Sequence, residues 1–197
     1  MARKLFYSVF HTPAGWMGSI GSIGGLRRVV LPRVSSGEVR ELLGTDAVPA
    51  PDSCTDLKER LRAYFSGCRV GFPDKPDFSG ATPFQREVWR VARLIPYGQT
   101  RSYQWVAAQT GKPGAARAVG QALGKNPLPI IVPCHRVVAH DGIGGFSGGI
   151  EMKKYLLCLE NSSGNRQRVY LDIDGEALWE NVCKSGIAAR KKAHLLF

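Results

Sequence analysis

Residues 82–124 read TPFQREVWRVARLIPYGQTRSYQWVAAQTGKPGAARAVGQALG. Thr82 before Pro83 is a helix start, with a side-chain cap and a proline at the first turn. Phe84, Val88, Val91, Ala92 and Ile95 then share one face. Pro96-Tyr97-Gly98 closes the segment. Ser102 caps a short helix, Tyr103 to Gln109, closed by Gly111. Lys112-Pro113-Gly114 is a turn, and Ala115 to Leu123 is a second short helix. Two short helices about a Gly-containing turn make a helix-turn-helix outline. That outline suits a plain packing pair as well as a DNA reader. Ala115, Ala116, Ala118 and Gly120 give the second helix a thin edge. Such an edge either packs tightly or enters a groove with Arg117 as its one long side chain.

Upstream, the texture changes. GFPDKPDFSGATP, residues 71–83, holds three prolines and two glycines and reads as a linker. Before it, residues 3–10, 16–23 and 25–31 read as short strands separated by Pro and Gly. Residues 56–66 carry Leu57, Leu61, Tyr64 and Phe65 at helical spacing. The expected fold class is α/β. A small sheet-plus-helix domain spans residues 1–81. A mainly helical domain with the helix-turn-helix spans 82–162. An extension of unknown role spans 163–197. Residues 161–165 read as a turn or linker leading into it; within it RVYLDID reads as a strand, Gly175 to Cys183 as a helix, and ARKKAHLLF as a basic end.

The 197 residues carry 27 Lys and Arg against 16 Asp and Glu, a formal charge of +11. Residues 82–160 hold ten basic and four acidic side chains, against eleven and eight in 1–81, so the excess gathers on the helix pair. This points to a polyanionic partner. A membrane is the poorer fit, since a spanning helix needs roughly 20 apolar residues. The apolar run from Leu128 to Val132 is broken by prolines. The N-terminus makes a poor signal-peptide core, so a cytoplasmic location (nuclear in a eukaryote) is expected.

The five cysteines are Cys54, Cys68, Cys134, Cys158 and Cys183. An odd count without an export signal argues against a disulfide framework, and no CxxC pair suggests structural zinc. Most read as small buried side chains. Cys134 differs. It lies in IIVPCHRVV, residues 130–138, with His135 and Arg136 directly after it. No acidic residue lies between Glu87 and Asp141. An electropositive setting depresses a thiol pKa and makes a nucleophile. In an extended strand, however, neighbouring side chains face opposite ways. Pro133 could supply the turn that points both inward. On chemistry alone, a reactive thiol and a buried core cysteine both remain open.

Pro133-Cys134-His135-Arg136, Asn126-Pro127 before it and Gly144-Gly145-Phe146-Ser147-Gly148-Gly149 after it resemble the O6-alkylguanine-DNA alkyltransferase family. Pro96 to Tyr103 and Ala115 to Gly120 match the same family in the same order. The resemblance covers residues 82–160. It implies transfer of an alkyl group from guanine O6 to Cys134, in a single turnover, after the base is flipped from the duplex. It implies Arg117 as the finger that fills the vacated space, with Ala116, Gly120 and Arg136 also on the DNA side. Tyr103 would assist nucleotide rotation and bond the base. His135 would be a water-mediated base oriented by Glu160, and Asn126 would hold the hinge. The backbone of Cys134 and Val137 would read the amino edge of guanine, and Ser147 would donate toward O6. Leu123, Pro129 and Phe146 would line the pocket.

Phe146 stands where many members have tyrosine. The zinc that some members bind finds only Cys54, Cys68 and His11 in residues 1–81, so no metal and no cofactor are expected. The implied partner is double-stranded DNA containing O6-alkylguanine, bound by a monomer. The rivals are a non-catalytic alkylguanine-binding protein, a regulatory DNA-binding protein, and a cysteine hydrolase using Cys134 and His135.

Overall fold

The computed structural model describes residues 4–44, 47–51 and 53–162. The readings made for residues 163–197 lie outside these. Three antiparallel strands, β1 (Phe6–Thr12), β2 (Gly15–Ser22) and β3 (Gly25–Arg33), form a meander. A two-residue strand, β4 (Val48–Pro49), joins β1 in parallel, giving the order β3-β2-β1-β4. Two helices belong to this half: α1 (Ser36–Leu43), capped by the Ser35 side chain, and α2 (Thr55–Phe65). The strand and α2 positions were legible in advance, whereas α1 and β4 were not.

The second half is mainly helical. Helix α3 (Pro83–Ala92) starts in a reciprocal capping box: Gln85 N–H donates to the Thr82 hydroxyl, and Thr82 N–H donates to the Gln85 side chain. A short strand, β5 (Arg101–Ser102), leads into α4 (Tyr103–Gln109), capped by Ser102. Helix α5 (Ala116–Gly124) follows after the Gly111 turn. A 3₁₀ turn spans Cys134–Arg136, and β6 (Val137–Val138) pairs in parallel with β5. Helix α6 (Ile150–Ser162) closes the described chain and takes in Asn161 and Ser162, which corrects the turn expected to start at Asn161. The Trp89 indole N–H donates to Ala122 O at 2.9 Å and ties α3 to α5.

The two halves share one hydrophobic core, which runs from Phe10, Leu31 and Leu61 to Val88, Val119 and Leu156. The proline-rich segment is not a loose tether. It lies along β3, with Leu26 N–H donating to Lys75 O at 2.8 Å and Asp77 N–H to Leu26 O at 2.7 Å. The same strand edge reaches the second half, where Val29 N–H donates to Pro127 O at 2.9 Å.

Cys54 and Cys68 are exposed free thiols, which corrects their reading as buried side chains. Cys158 on α6 is buried, as read. No helix among the described residues is long and apolar enough to cross a membrane.

Thr82→Ala removes the acceptor of the α3 cap and should cost about 1 kcal/mol. Urea unfolding followed by tryptophan fluorescence checks this, and an unchanged midpoint would contradict it.

Candidate active site

The local chain explains why Cys134 and His135 both face inward. They lie in a 3₁₀ turn rather than in a strand, and Cys134, His135 and Arg136 are all buried. Asn126 braces the turn. Its Nδ2 donates to Val132 O at 2.9 Å and to Cys134 Sγ at 3.1 Å, while its Oδ1 accepts from Leu128 N–H at 2.9 Å.

Below the thiol sits a buried carboxylate. Glu160 Oε1 accepts from His135 Nε2 at 2.8 Å, Arg136 Nη2 at 2.9 Å and the Tyr64 hydroxyl at 2.7 Å. Oε2 accepts from Arg136 Nε at 2.9 Å and Gly98 N–H at 3.0 Å. Burial alone would push the Glu160 carboxyl up. The charge and hydrogen bonds of His135 and Arg136 outweigh it and hold the group well below the ordinary carboxylate range. Glu160 is therefore ionised and accepts only, so His135 carries its proton on Nε2. Burial holds the imidazole below its usual pKa, with Glu160 opposing, and it stays neutral near pH 7. His135 Nδ1 is buried and has no hydrogen-bond partner among the described residues.

Arg136 does not face outward. The Nε–Nη2 edge of its guanidinium pairs with both carboxylate oxygens of Glu160, and Nη1 donates to Ile95 O at 2.7 Å, just beyond the end of α3. This corrects its assignment as a DNA contact. It also changes the account of the thiol. The positive charge that acts on Cys134 comes from Lys153, not from the side chains next in sequence. Lys153 is fully buried and donates to Val137 O at 2.6 Å and Gly145 O at 3.0 Å. Burial pulls its pKa down to about 8, opposed by Cys134. Burial likewise raises the Cys134 thiol, partly offset by Asn126, Lys153 and nearby backbone N–H groups. The resting group is a protonated thiol rather than the depressed one expected.

Above Cys134 opens a cavity of about 520 Å³, within the usual range for small-molecule sites. Tyr103, Ala116, Arg117, Gly120, Leu123, Gly124, Gly145, Phe146 and Ser147 surround it. Arg117, the second residue of α5, is exposed beside it. Pro129 and Val137 are buried and do not line it, which corrects Pro129 as a pocket wall. Val137 O is already held by Lys153, leaving less of that backbone for guanine. Two glycines shape the wall. Gly144 has φ +69°, and a Cβ there would stand 2.9 Å from the Tyr103 ring and hydroxyl. A Cβ at Gly148 would stand 2.5 Å from Leu31 of β3, so the cavity loop rests directly on the N-terminal sheet. Among the described residues no group of three or more His, Cys, Asp or Glu could hold a metal ion.

A family model described as the DNA-binding domain of 6-O-methylguanine DNA methyltransferase matches residues 83–162. A methylated-DNA–protein-cysteine methyltransferase of Methanosarcina barkeri is 36% identical over 160 residues, 81% of this chain and 99% of that protein. The chain belongs to the methylated-DNA–protein-cysteine methyltransferase family. The Shigella flexneri member is 50% identical over 102 residues, but the match spans only 60% of its length. The crystal structure of Mycobacterium tuberculosis O6-methylguanine methyltransferase superposes with a TM-score of 0.71 at 39% identity, covering 83% of this chain and 96% of that one. The same bacterium's protein in complex with DNA gives 0.70 at 39% identity, covering 82% and 96%.

Three methyltransferase site features escaped the sequence reading. Lys153 lies seven residues before Glu160 on α6, in phase with buried Leu156 and Leu157. A lysine on the buried face of a helix was the available signal. Tyr64 was read as core only, although a buried phenol needs a partner for its hydroxyl. Nothing in sequence spacing pairs Arg136 with Glu160.

Glu160→Gln leaves the Arg136 charge buried without its counter-ion and should cost about 3–5 kcal/mol at pH 7. The Glu160 carboxyl is more acidic folded than unfolded. The unfolded chain therefore takes up the proton first as pH falls below the usual carboxylate range, and stability drops. The parent's advantage over Glu160→Gln should accordingly shrink in acid, as read by urea unfolding at several pH values. A constant gap would contradict the assignment.

Proposed function

We propose that the protein repairs DNA by moving an alkyl group from O6 of guanine to its own Cys134, in one irreversible turnover. The observation that carries this is the buried relay: a thiol at the floor of a cavity, a neutral imidazole beside it with a free Nδ1, and an ionised carboxylate behind. Cys134 and His135 make no direct hydrogen bond, so a water between them is the route for the thiol proton to Nδ1. The thiolate attacks the alkyl carbon, the carbon–O6 bond breaks, and its electron pair stays with guanine. A proton from the protein then neutralises the leaving base. Net, the thiol hydrogen is exchanged for the alkyl group and a plain guanine is released. Proton or hydrogen-bond donation to the departing base suits Tyr103 and Ser147, which line the cavity. The thioether is stable, and nothing in the site could remove it.

Burial of the thiol fits this chemistry. A protonated, shielded sulfur stays unreactive until a base fills the cavity and Lys153 can stabilise the thiolate. The target must leave the duplex to reach Cys134. The thin face of α5, with Ala116 and Gly120 at the cavity, lets the backbone approach the groove while Arg117 fills the gap. Binding should rest mainly on phosphate and groove shape, with little sequence preference, by a monomer.

Incubation with duplex carrying O6-methylguanine, followed by intact mass and peptide mapping, should show one methyl on Cys134. A protein that gains no methyl would overturn the reading. Cys134→Ser should bind the same duplex and transfer nothing. Lys153→Met should slow transfer roughly 10²-fold by removing the cation that faces the thiolate. Single-turnover quench measurements check it, and a parent-like rate would contradict that role.

A further inference from the structure

The Glu160 carboxylate is held partly from outside the segment that the family model covers. Tyr64 lies on α2, 96 residues before Glu160. Its hydroxyl donates to Oε1 at 2.7 Å, and its oxygen lies 3.5 Å from His135 Nε2. Oε1 is the same oxygen that receives the imidazole proton donor. The Tyr64 ring is fully buried and meets Phe65, Phe72 and Tyr97 edge-on, at 5.3, 6.0 and 6.1 Å between centroids. Those contacts hold the ring in place, and with it the position of the hydroxyl oxygen beside Glu160.

A phenylalanine would fill the same space and bury no polar atom. A buried hydroxyl is costly unless bonded, and this one spends its bond on the relay. Two consequences follow for His135. The carboxylate is fixed in the orientation that receives Nε2–H, so Nδ1 stays the free acceptor. The hydrogen bond also spreads the negative charge of Oε1, which weakens its pull on an imidazolium. Burial and the neighbouring Glu160 charge keep the phenol well above its ordinary pKa, so it remains a donor.

We propose that Tyr64 is a positioning residue for alkyl transfer, acting from the N-terminal half through the Glu160–His135 pair. The proposal rests on the transfer reading above. The titratable and charged groups around the pair are Tyr64 from α2, Tyr97 from the loop after α3, Cys134 and Arg136 from the 3₁₀ turn, and Lys153 from α6. Tyr64 is the one among them that reaches the carboxylate from the N-terminal half.

The test compares the parent, Tyr64→Phe and Phe65→Leu in single-turnover transfer from O6-methylguanine duplex across pH. Rates are taken per molecule alkylated at saturation, and duplex affinity is measured separately. Tyr64→Phe should bind the duplex as the parent does and transfer about tenfold more slowly, the scale of one hydrogen bond to a charged group. Its rising pH limb should move to higher pH, because His135 then holds a proton more tightly. Phe65→Leu loses a core contact on the same helix and should melt earlier with its pH midpoint unmoved. A Tyr64→Phe profile with the parent's midpoint overturns the proposal, whether its rate is unchanged or merely lowered as in Phe65→Leu. A parent that does not transfer would instead sink the transfer reading itself.

Discussion

An ionised carboxylate with no access to water is the constraint on which the rest of this structure depends. Removing a carboxylate from solvent costs several kcal/mol unless its lone pairs are filled. Glu160 has five donors: two from Arg136 and one each from His135, Tyr64 and the Gly98 backbone. They come from α2, from the loop after α3 and from the 3₁₀ turn. Supplying them requires α6, the helical half and the N-terminal half to meet at one point. The shared core, the β3 contact with Pro127 and the seat of Gly148 on Leu31 keep that meeting point in register.

The site separates its charges by task. Arg136 neutralises Glu160 and is spent there. Lys153 is the cation left to face the sulfur. His135 stays neutral because burial outweighs the carboxylate's pull, and a neutral imidazole is what a base requires. The thiol is therefore guarded rather than poised, which suits a protein that can react once. Its reactivity depends on a base entering the cavity, not on a permanently formed thiolate.

The sequence was most legible where local rules act. Thr82-Pro83, Ser102 and the Gly111 turn mark helix ends through backbone capping, and they appear within a residue of where they were read. Cys134 stood out through residue type and its neighbours. Long-range pairing was not legible. Arg136 looked like surface charge beside a thiol, because nothing local indicates a carboxylate 24 residues on. Tyr64 sat at an apolar helical position, and its ring justified that reading while the hydroxyl carried the relevant chemistry. The strands β5 and β6 are two residues each, too short for any period-two pattern. Helix α1 has only Val39 and Leu43 as buried apolar positions, a weak stripe between loops.

Glu160 holds His135 neutral with its proton on Nε2, the state that the proposed base needs. Nitrogen-15 NMR of histidine-labelled protein near pH 7 reads both ring nitrogens directly. The spectrum should show one protonated nitrogen, Nε2, and an unprotonated Nδ1. Two protonated nitrogens, or a proton on Nδ1 alone, would contradict it.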